Sequence, residues 1–329
     1  MFSRRSLLAA GSLALATALS FAPAMAQGQG QFERTVRIIV PFAPGGTSDI
    51  LARLIAPALQ KAIGQSVIVE NKAGAAGNLG ADTVAKAAKD GHTLLLMDVG
   101  SLATAPSLFS NLTYDPQKDL APVGMVMFAP YVLAVNPSVP AKSVKELVDY
   151  AKANPGKLAV ANSGVGALNH ITGVTLAKNL GIAWKNVPYK GGSAASRAVV
   201  AGESTVIING ATATLPFVTS GQLVGIAVTG EERLKAAPDL PTFKEAGLPA
   251  AEAGSWQGVL TTAGTPPALV ERLNTELKTI LAQPEIIAKI GEQGGSVHAD
   301  SPDAFKSWLT SATESWGGII REAGIKVAE

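Results

Sequence analysis

Four glycine-rich stretches hold the residues of this sequence best suited to chemistry: PGGTSD (44–49), AGAAGNLG (73–80), SGVGALNH (163–170) and YKGGS (189–193). Each follows a short apolar run and leads into a helical pattern, which predicts a loop at the carboxyl end of a strand, over a helix N-terminus. Unpaired amide hydrogens and the helix dipole there create positive potential without a charged side chain. An anion is what such loops suit. Glycine between strand and helix also serves turn geometry alone. The repetition of the loop along one chain is what favours binding.

Signatures of catalysis are missing. The histidines His92, His170 and His298 are far apart and lack carboxylates at ligand spacing, so no metal site is expected. Neither a Gly-x-Ser-x-Gly elbow nor a Gly-Lys-Ser/Thr phosphate loop occurs. GVGALN (164–169) approaches a dinucleotide fingerprint but has Asn169 in place of the third glycine. With no cysteine, disulfides and thiol chemistry are excluded. No catalytic residue and no cofactor are expected.

The elements that must position these loops alternate along the chain. VRIIV (36–40), a helix over 50–63, SVIVE (66–70), helical GADTVAKAAK and TLLLM (93–97) make a first series. A second runs through YVLAVNP (131–137), helix SVKELVDYAKAN, KLAVAN, a helix over 167–180, WKNVPY, a helix over 193–200, STVIIN and LVGIAV. GSWQGVLTTAG follows, then helices opened by Pro266-Pro267 and by Ser301-Pro302-Asp303. Continuous apolar strands between amphipathic helices define an α/β protein of mostly parallel sheets covered on both faces. The last two helices lack strands of their own for a third domain and are expected to return to the first sheet. Residues 27–129 with 255–329 then form one lobe and 130–254 the other, joined by two crossing strands, YVLAVNP and SWQGVLTTAG. The result is a two-lobed clamshell, its cleft at the strands' carboxyl ends, with the first glycine loop facing the third and fourth.

Residues 1–26 read as an export signal: Arg4 and Arg5, then an apolar stretch, then Ala24-Met25-Ala26 before a predicted cut. SRRSLL suits the Sec and the twin-arginine routes alike. Two of the 27 lysines and arginines lie in this segment, so the remainder balance the 25 Asp and Glu. No basic run interleaved with aromatics occurs, and no nucleic-acid partner is expected.

VRIIVPFAPGGTSDILARLIAPALQKAIGQSVIVENKAGAAGNLGADTVAKAAKDGHTLLL, NLTYDPQKDLAPV, VLAVNPSVPAKSVKELVDYAKANPGKL, VPYKGG, LPTFKEAGLP and AGTPPALVERLN together resemble the Bug/TctC family. These are extracytoplasmic solute receptors of bacterial tripartite tricarboxylate transporters, and the resemblance spans essentially the whole mature chain. It implies a periplasmic binding protein of Venus-flytrap type that holds a carboxylate through backbone amides and ordered water. Carried over residue by residue, Phe42, Ala43, Gly45, Gly46, Thr47, Ser48 and Asp49 line one wall. Ser163, Gly166, Ala167, His170, Lys190 and Gly191 line the other.

The chain departs from the family at informative places. Ala167, followed by Leu168, stands where the family loop carries a hydroxyl, which implies a less polar distal pocket. Asn209-Gly210 replaces Asp-Asn, and Asp98 stands where a small or hydroxyl residue is usual. Asp98 and Asn209 join the candidate ligand-binding residues. Asp98 is open to two readings, a partner for a ligand's amine or hydroxyl and a cap for the helix beginning near Ser101. His170 can brace its helix start, Lys190 can be solvated, Trp256 can pack the hinge, and Asp49 can fix the turn or cap its helix. The function expected is a monomeric, non-catalytic receptor delivering a monocarboxylate, an aromatic carboxylate or an elongated dicarboxylate to a membrane permease. A ligand sensor for a membrane kinase and a secreted α/β enzyme are the alternatives.

Overall fold

VRIIV buries four of its five side chains as strand β1 (Val36–Val40), as a strand covered on both faces must. Helix α1 (Thr47–Ile63) follows, with Leu51, Ile55, Leu59 and Ile63 buried along one stripe, and it ends at Gly64 with φ of 71°, the left-handed close that glycine allows. Strand β2 (Val67–Asn71), a 3₁₀ turn (Ala75–Gly77), α2 (Asn78–Ala85), β3 (Thr93–Asp98) and α3 (Val99–Leu108) complete the first series. Strand β1 lies between β2 and β3, parallel to both. The computed structural model describes residues 32–248 and 253–326, so the predicted export signal lies outside the described residues.

The second series opens with β4 (Leu120–Val135) and continues through α4 (Val144–Ala153), β5 (Ala159–Asn162), α5 (Leu168–Leu180), β6 (Lys185–Pro188), α6 (Gly192–Val200), β7 (Val206–Gly210), α7 (Ala211–Thr219) and β8 (Val224–Val228). The chain returns as β9 (Gly254–Thr262), α8 (Pro267–Leu281), α9 (Pro284–Glu292), β10 (Ser296–Val297) and α10 (Pro302–Ala323). Strands β7, β5 and β6 are mutually parallel. Strand β9 is antiparallel to β3 and to β4, and β8 is antiparallel to β4.

Strand β4 belongs to both sheets. Its first half pairs with β9 as far as Pro130↔Gly254, and from Tyr131↔Gly210 onward it pairs with β7. Sequence reading finds only YVLAVNP, because Pro122, Gly124 and Pro130 interrupt the apolar pattern before it. These residues fall where the ladder tolerates them: the register shifts between Pro122 and Gly124, and Pro130 stands where one partner strand is exchanged for another, so a missing N–H costs little. Helix α7 is a second departure. ATATLPFVT contains Pro216 and weak helix formers, yet Ala211 and Leu215 are buried against Leu234 and Leu240, and packing overrides propensity.

The cores follow the sheets. Leu269, Leu273 and Leu277 of α8 pack with Ile38 and Leu94, while Phe305 and Leu309 of α10 pack with Ile39 and Leu95. The C-terminal helices thus return to both faces of the first sheet. A separate core gathers Tyr131, Leu133, Leu147, Val160, Ile208 and Phe243 about the second sheet.

Candidate functional site

The first wall is built by the turn between β1 and α1. Gly45 has φ of 79°, a conformation in which a side chain would be strained. Asp49 reaches back into this turn. Its carboxylate accepts from the Gly45 N–H at 2.9 Å, from Arg53 Nε at 3.0 Å and from Asn71 Nδ2 at 2.9 Å. Burial pulls the Asp49 pKa up, but the bonds from Arg53, Gly45 and Asn71 outweigh it and hold the group below the usual carboxylate range. The N-cap of α1 is Gly46, which has no side chain to cap the helix, so its first-turn amide hydrogens are left to other partners. Replacing Asp49 with alanine is expected to lower stability by about 2–3 kcal/mol, since a buried hydrogen-bonding hub is lost. Urea unfolding at neutral pH measures this, and an unchanged midpoint would contradict it.

The opposite wall comes from the second sheet. Gly191, with φ of 119°, leads into α6, which likewise has no side-chain cap. A β-carbon on Gly191 would lie 3.0 Å from Phe42 Cβ and 3.1 Å from the Ala43 nitrogen, so this glycine permits close approach of the two walls. Hydrogen bonds cross directly between the two lobes. Ala43 N–H donates to the Lys190 carbonyl at 2.8 Å and Ser193 Oγ to the Pro44 carbonyl at 2.7 Å. Leu168 N–H donates to Ser101 Oγ at 3.2 Å and Thr104 Oγ1 to the Gly166 carbonyl at 3.0 Å.

Between the walls lies a small cavity of about 30 Å³, room for roughly one water molecule. Phe42, Gly46, Thr47 and Ser48 line it from the first turn, and Ser163, Asn169, Gly192 and Asn209 from the other side. Asp98, Ser101, Ser255 and Gln257 form its floor. An outer groove of about 300 Å³ continues from it, sharing Phe42 and Ser163 and adding Gly74 to Gly77, Gly164 and the exposed Lys190. Ala75 and Ala76 hold φ of 47° and 52° there, a left-handed conformation that costs an alanine about 1–2 kcal/mol and is typical of binding loops.

Asp98 is both a cap and part of the cavity floor. Its Oδ1 accepts from the Gly100 N–H at 3.0 Å, the N-cap contact of α3, and its Oδ2 accepts from Ser255 Oγ at 3.1 Å and Tyr131 Oη at 3.4 Å. Part of its surface opens to the cavity, yet the surrounding protein leaves the carboxylate poorly solvated. Burial pushes its pKa up to about 7, against the pull of Ser255, the Gly100 and Ser101 amides and Tyr131.

Of the residues expected at the site, Phe42, Gly46, Thr47, Ser48, Asp98, Ser163 and Asn209 meet in this inner cavity. Ala43, Gly45, Asp49 and Gly191 shape the walls from behind. Gly166, Ala167 and His170 stand outside it. His170 Nδ1 accepts from the Gly166 N–H at 3.2 Å, and burial lowers its pKa, so it is a neutral brace for the loop. Leu168 packs against Gly100, so Ala167 and Leu168 do not set the polarity of the cavity. Lys190 lies in the outer groove.

Sequence reading missed Ser101, Asn169, Gly192, Ser255 and Gln257. A signal existed for two of them: Ser255 and Gln257 alternate with Gly254, Trp256 and Gly258, and period two places them on one strand face. Trp256 faces away, 4.4 Å from Phe128 and 5.4 Å from Trp308 between ring centroids. It borders a larger cavity of about 510 Å³ between α5 and α10, whose lining includes Trp308, Trp316 and Phe243 and no charged group. That space lies apart from the converging helix termini.

Two α/β lobes closing helix N-termini around a cavity define a solute-binding protein of the Venus-flytrap class. The sequence profile of the tripartite tricarboxylate transporter family receptor, TctC, matches residues 51–325, and the chain belongs to that family. It is 34% identical over 322 residues to Protein BugT of Bordetella pertussis, covering 98% of each chain. The solved periplasmic binding protein BugD superposes with a TM-score of 0.86 at 35% identity, over 90% of this chain and 100% of that one. R. palustris Rpa4515, solved with adipate, gives 0.86 at 33% identity, over 90% and 99%. The family and its solved neighbours are binding proteins rather than enzymes. Among the described residues no helix is long and apolar enough to cross a membrane.

Proposed function

We propose that this protein captures a small organic carboxylate between its lobes and presents it to the membrane permease of a tripartite tricarboxylate transporter. The convergence of α1 and α6, both without side-chain caps, on one cavity carries this reading. Their N-termini come from different lobes, so an anion is satisfied from both sides only when the lobes close, and ligand charge then drives closure. Adipate bound to the similar R. palustris protein supports the ligand class. The chain is proposed to work in the periplasm after cleavage behind Ala26, with 27–129 and 255–329 moving against 130–254. The walls offer amides, hydroxyls and carboxamides, and no activated nucleophile, so binding without turnover is proposed.

A thermal-shift screen of the mature chain against mono-, di- and tricarboxylates tests this. A ligand at a hundred times its Kd is expected to add about 2.7 kcal/mol of stability. No stabilisation by any carboxylate, or consumption of one, would overturn the proposal.

A further inference from the structure

We propose that the cleft selects a carboxylate that also bears an ammonium group, and that Asp98 and Gln257 are the residues that make this choice. The inference rests on the carboxylate reading above and adds a second requirement to it.

Asp98 and Gln257 are direct partners across the antiparallel β3–β9 ladder, so their side chains share one face of the sheet, with β-carbons about 5 Å apart. Both line the cavity. A chain of hydrogen bonds fixes how they present themselves. With Asp98 ionised, Ser255 donates its single proton to Asp98 Oδ2 at 3.1 Å, and the 2.7 Å contact between Ser255 and Gln257 is then donated by Gln257 Nε2. The amide orientation follows, and Gln257 Oε1, fully buried, is left without a partner. The cavity floor therefore sets a carboxylate beside an unsatisfied carbonyl oxygen.

Acceptors of this kind ask for a cation with several protons. A simple carboxylate gives them none. It would also stand close to Asp98, and among the described residues lining the inner cavity no lysine or arginine offsets that charge. An aminocarboxylate resolves both problems: its carboxylate meets the helix termini of α1 and α6, while its ammonium neutralises Asp98 and supplies a proton to Gln257 Oε1. A hydroxyl supplies one proton and no charge, so it satisfies the floor less fully. The elevated pKa of Asp98 gives the choice a pH signature. Deprotonation of Asp98 favours the ammonium, and protonation favours a simple anion. Tyr131, the other titratable group against Asp98, is held neutral well above this range by burial.

The test is isothermal titration of matched sets: L-alanine, lactate and propionate; L-glutamate, 2-hydroxyglutarate and glutarate; L-phenylalanine and 3-phenylpropionate. In at least one set the amino member is expected to bind at least tenfold tighter than its deaminated analogue at pH 8. That preference should shrink at pH 5.5, as the amino compound weakens and the analogue tightens. Asp98→Asn, which keeps an oxygen for the α3 cap, should reduce the ratio to near one. Gln257→Met should reduce it several-fold and decides the matter if the first variant does not fold. Deaminated or hydroxy members binding as tightly as the amino member in every set, or a ratio unmoved by both variants, would overturn the proposal and leave the carboxylate reading standing. No binding by any member in any set would count against both.

Discussion

Replacing Gly210 with valine is expected to weaken carboxylate binding at least about a hundredfold, roughly 2.8 kcal/mol, while leaving each lobe folded. Gly210 ends β7 and precedes α7 with φ of −52° and ψ of 137°, a conformation valine adopts without strain. A β-carbon there would lie 2.9 Å from Thr47 Oγ1, on the opposite wall, and 3.2 Å from Ser255 Cβ, on the cavity floor. The contact with Thr47 is the one expected to disappear when the lobes part. The variant therefore shifts the balance between open and closed states, and apparent affinity falls by the loss of the competent population. Calorimetry against whichever carboxylate stabilises the parent protein measures the loss, and small-angle scattering should register a more open particle. Unchanged affinity would show that the lobes do not need this contact to bind. A fall in ligand-free stability beyond about 1 kcal/mol would show instead that Gly210 belongs to a fixed core.

From pH 4 to pH 7 the ligand-free protein is expected to lose stability, and Asp98→Asn is expected to flatten that slope. Burial raises Asp98 from an ordinary 3.8 to about 7, so across this window the folded chain holds a proton that the unfolded chain has released. Stability from this group is then fully present below the unfolded pKa and is lost as pH rises through the folded one. A displacement of that size is worth at most about 4 kcal/mol. Asp49 works in the opposite sense: its folded pKa is depressed, so its contribution is present above the unfolded value and disappears only as the solution becomes more acidic. Urea unfolding of both proteins at four pH values between 4.5 and 7.5 separates the two. A stability difference between parent and Asp98→Asn that does not change with pH would rule out the buried, protonated carboxyl.

How far the site could be read from the chain depended on whether its residues are neighbours in sequence. Phe42, Gly46, Thr47 and Ser48 sit in one glycine turn between a strand and a helix, and local pattern exposed them. Asp49 belonged to the same turn, but besides its local bonds to Gly45 and Arg53 it is held by Asn71 of the neighbouring strand β2, so its work could not be chosen from sequence. Ser255 and Gln257 reach the cavity only because β9 returns beside β3 after more than a hundred residues. The same long return hid the first half of β4, whose prolines look like turn residues until its partner strands are in place.

The amino-acid sequence by itself determined the alternation of strands and helices, the glycine turns at strand ends, the family and the absence of a nucleophile–base signature. The alternation and the turns rest on local periodicity and backbone preference, which act over a few residues, and the family on a resemblance that runs along the chain. Only the tertiary structure decided which loops face one another, that His170 braces a loop outside the cavity, and that Asp98 caps α3 while sharing the cavity floor with Gln257. Those outcomes depend on strand register and lobe closure, which bring distant residues within hydrogen-bonding distance and remove the water that would otherwise keep Asp98 an ordinary surface carboxylate.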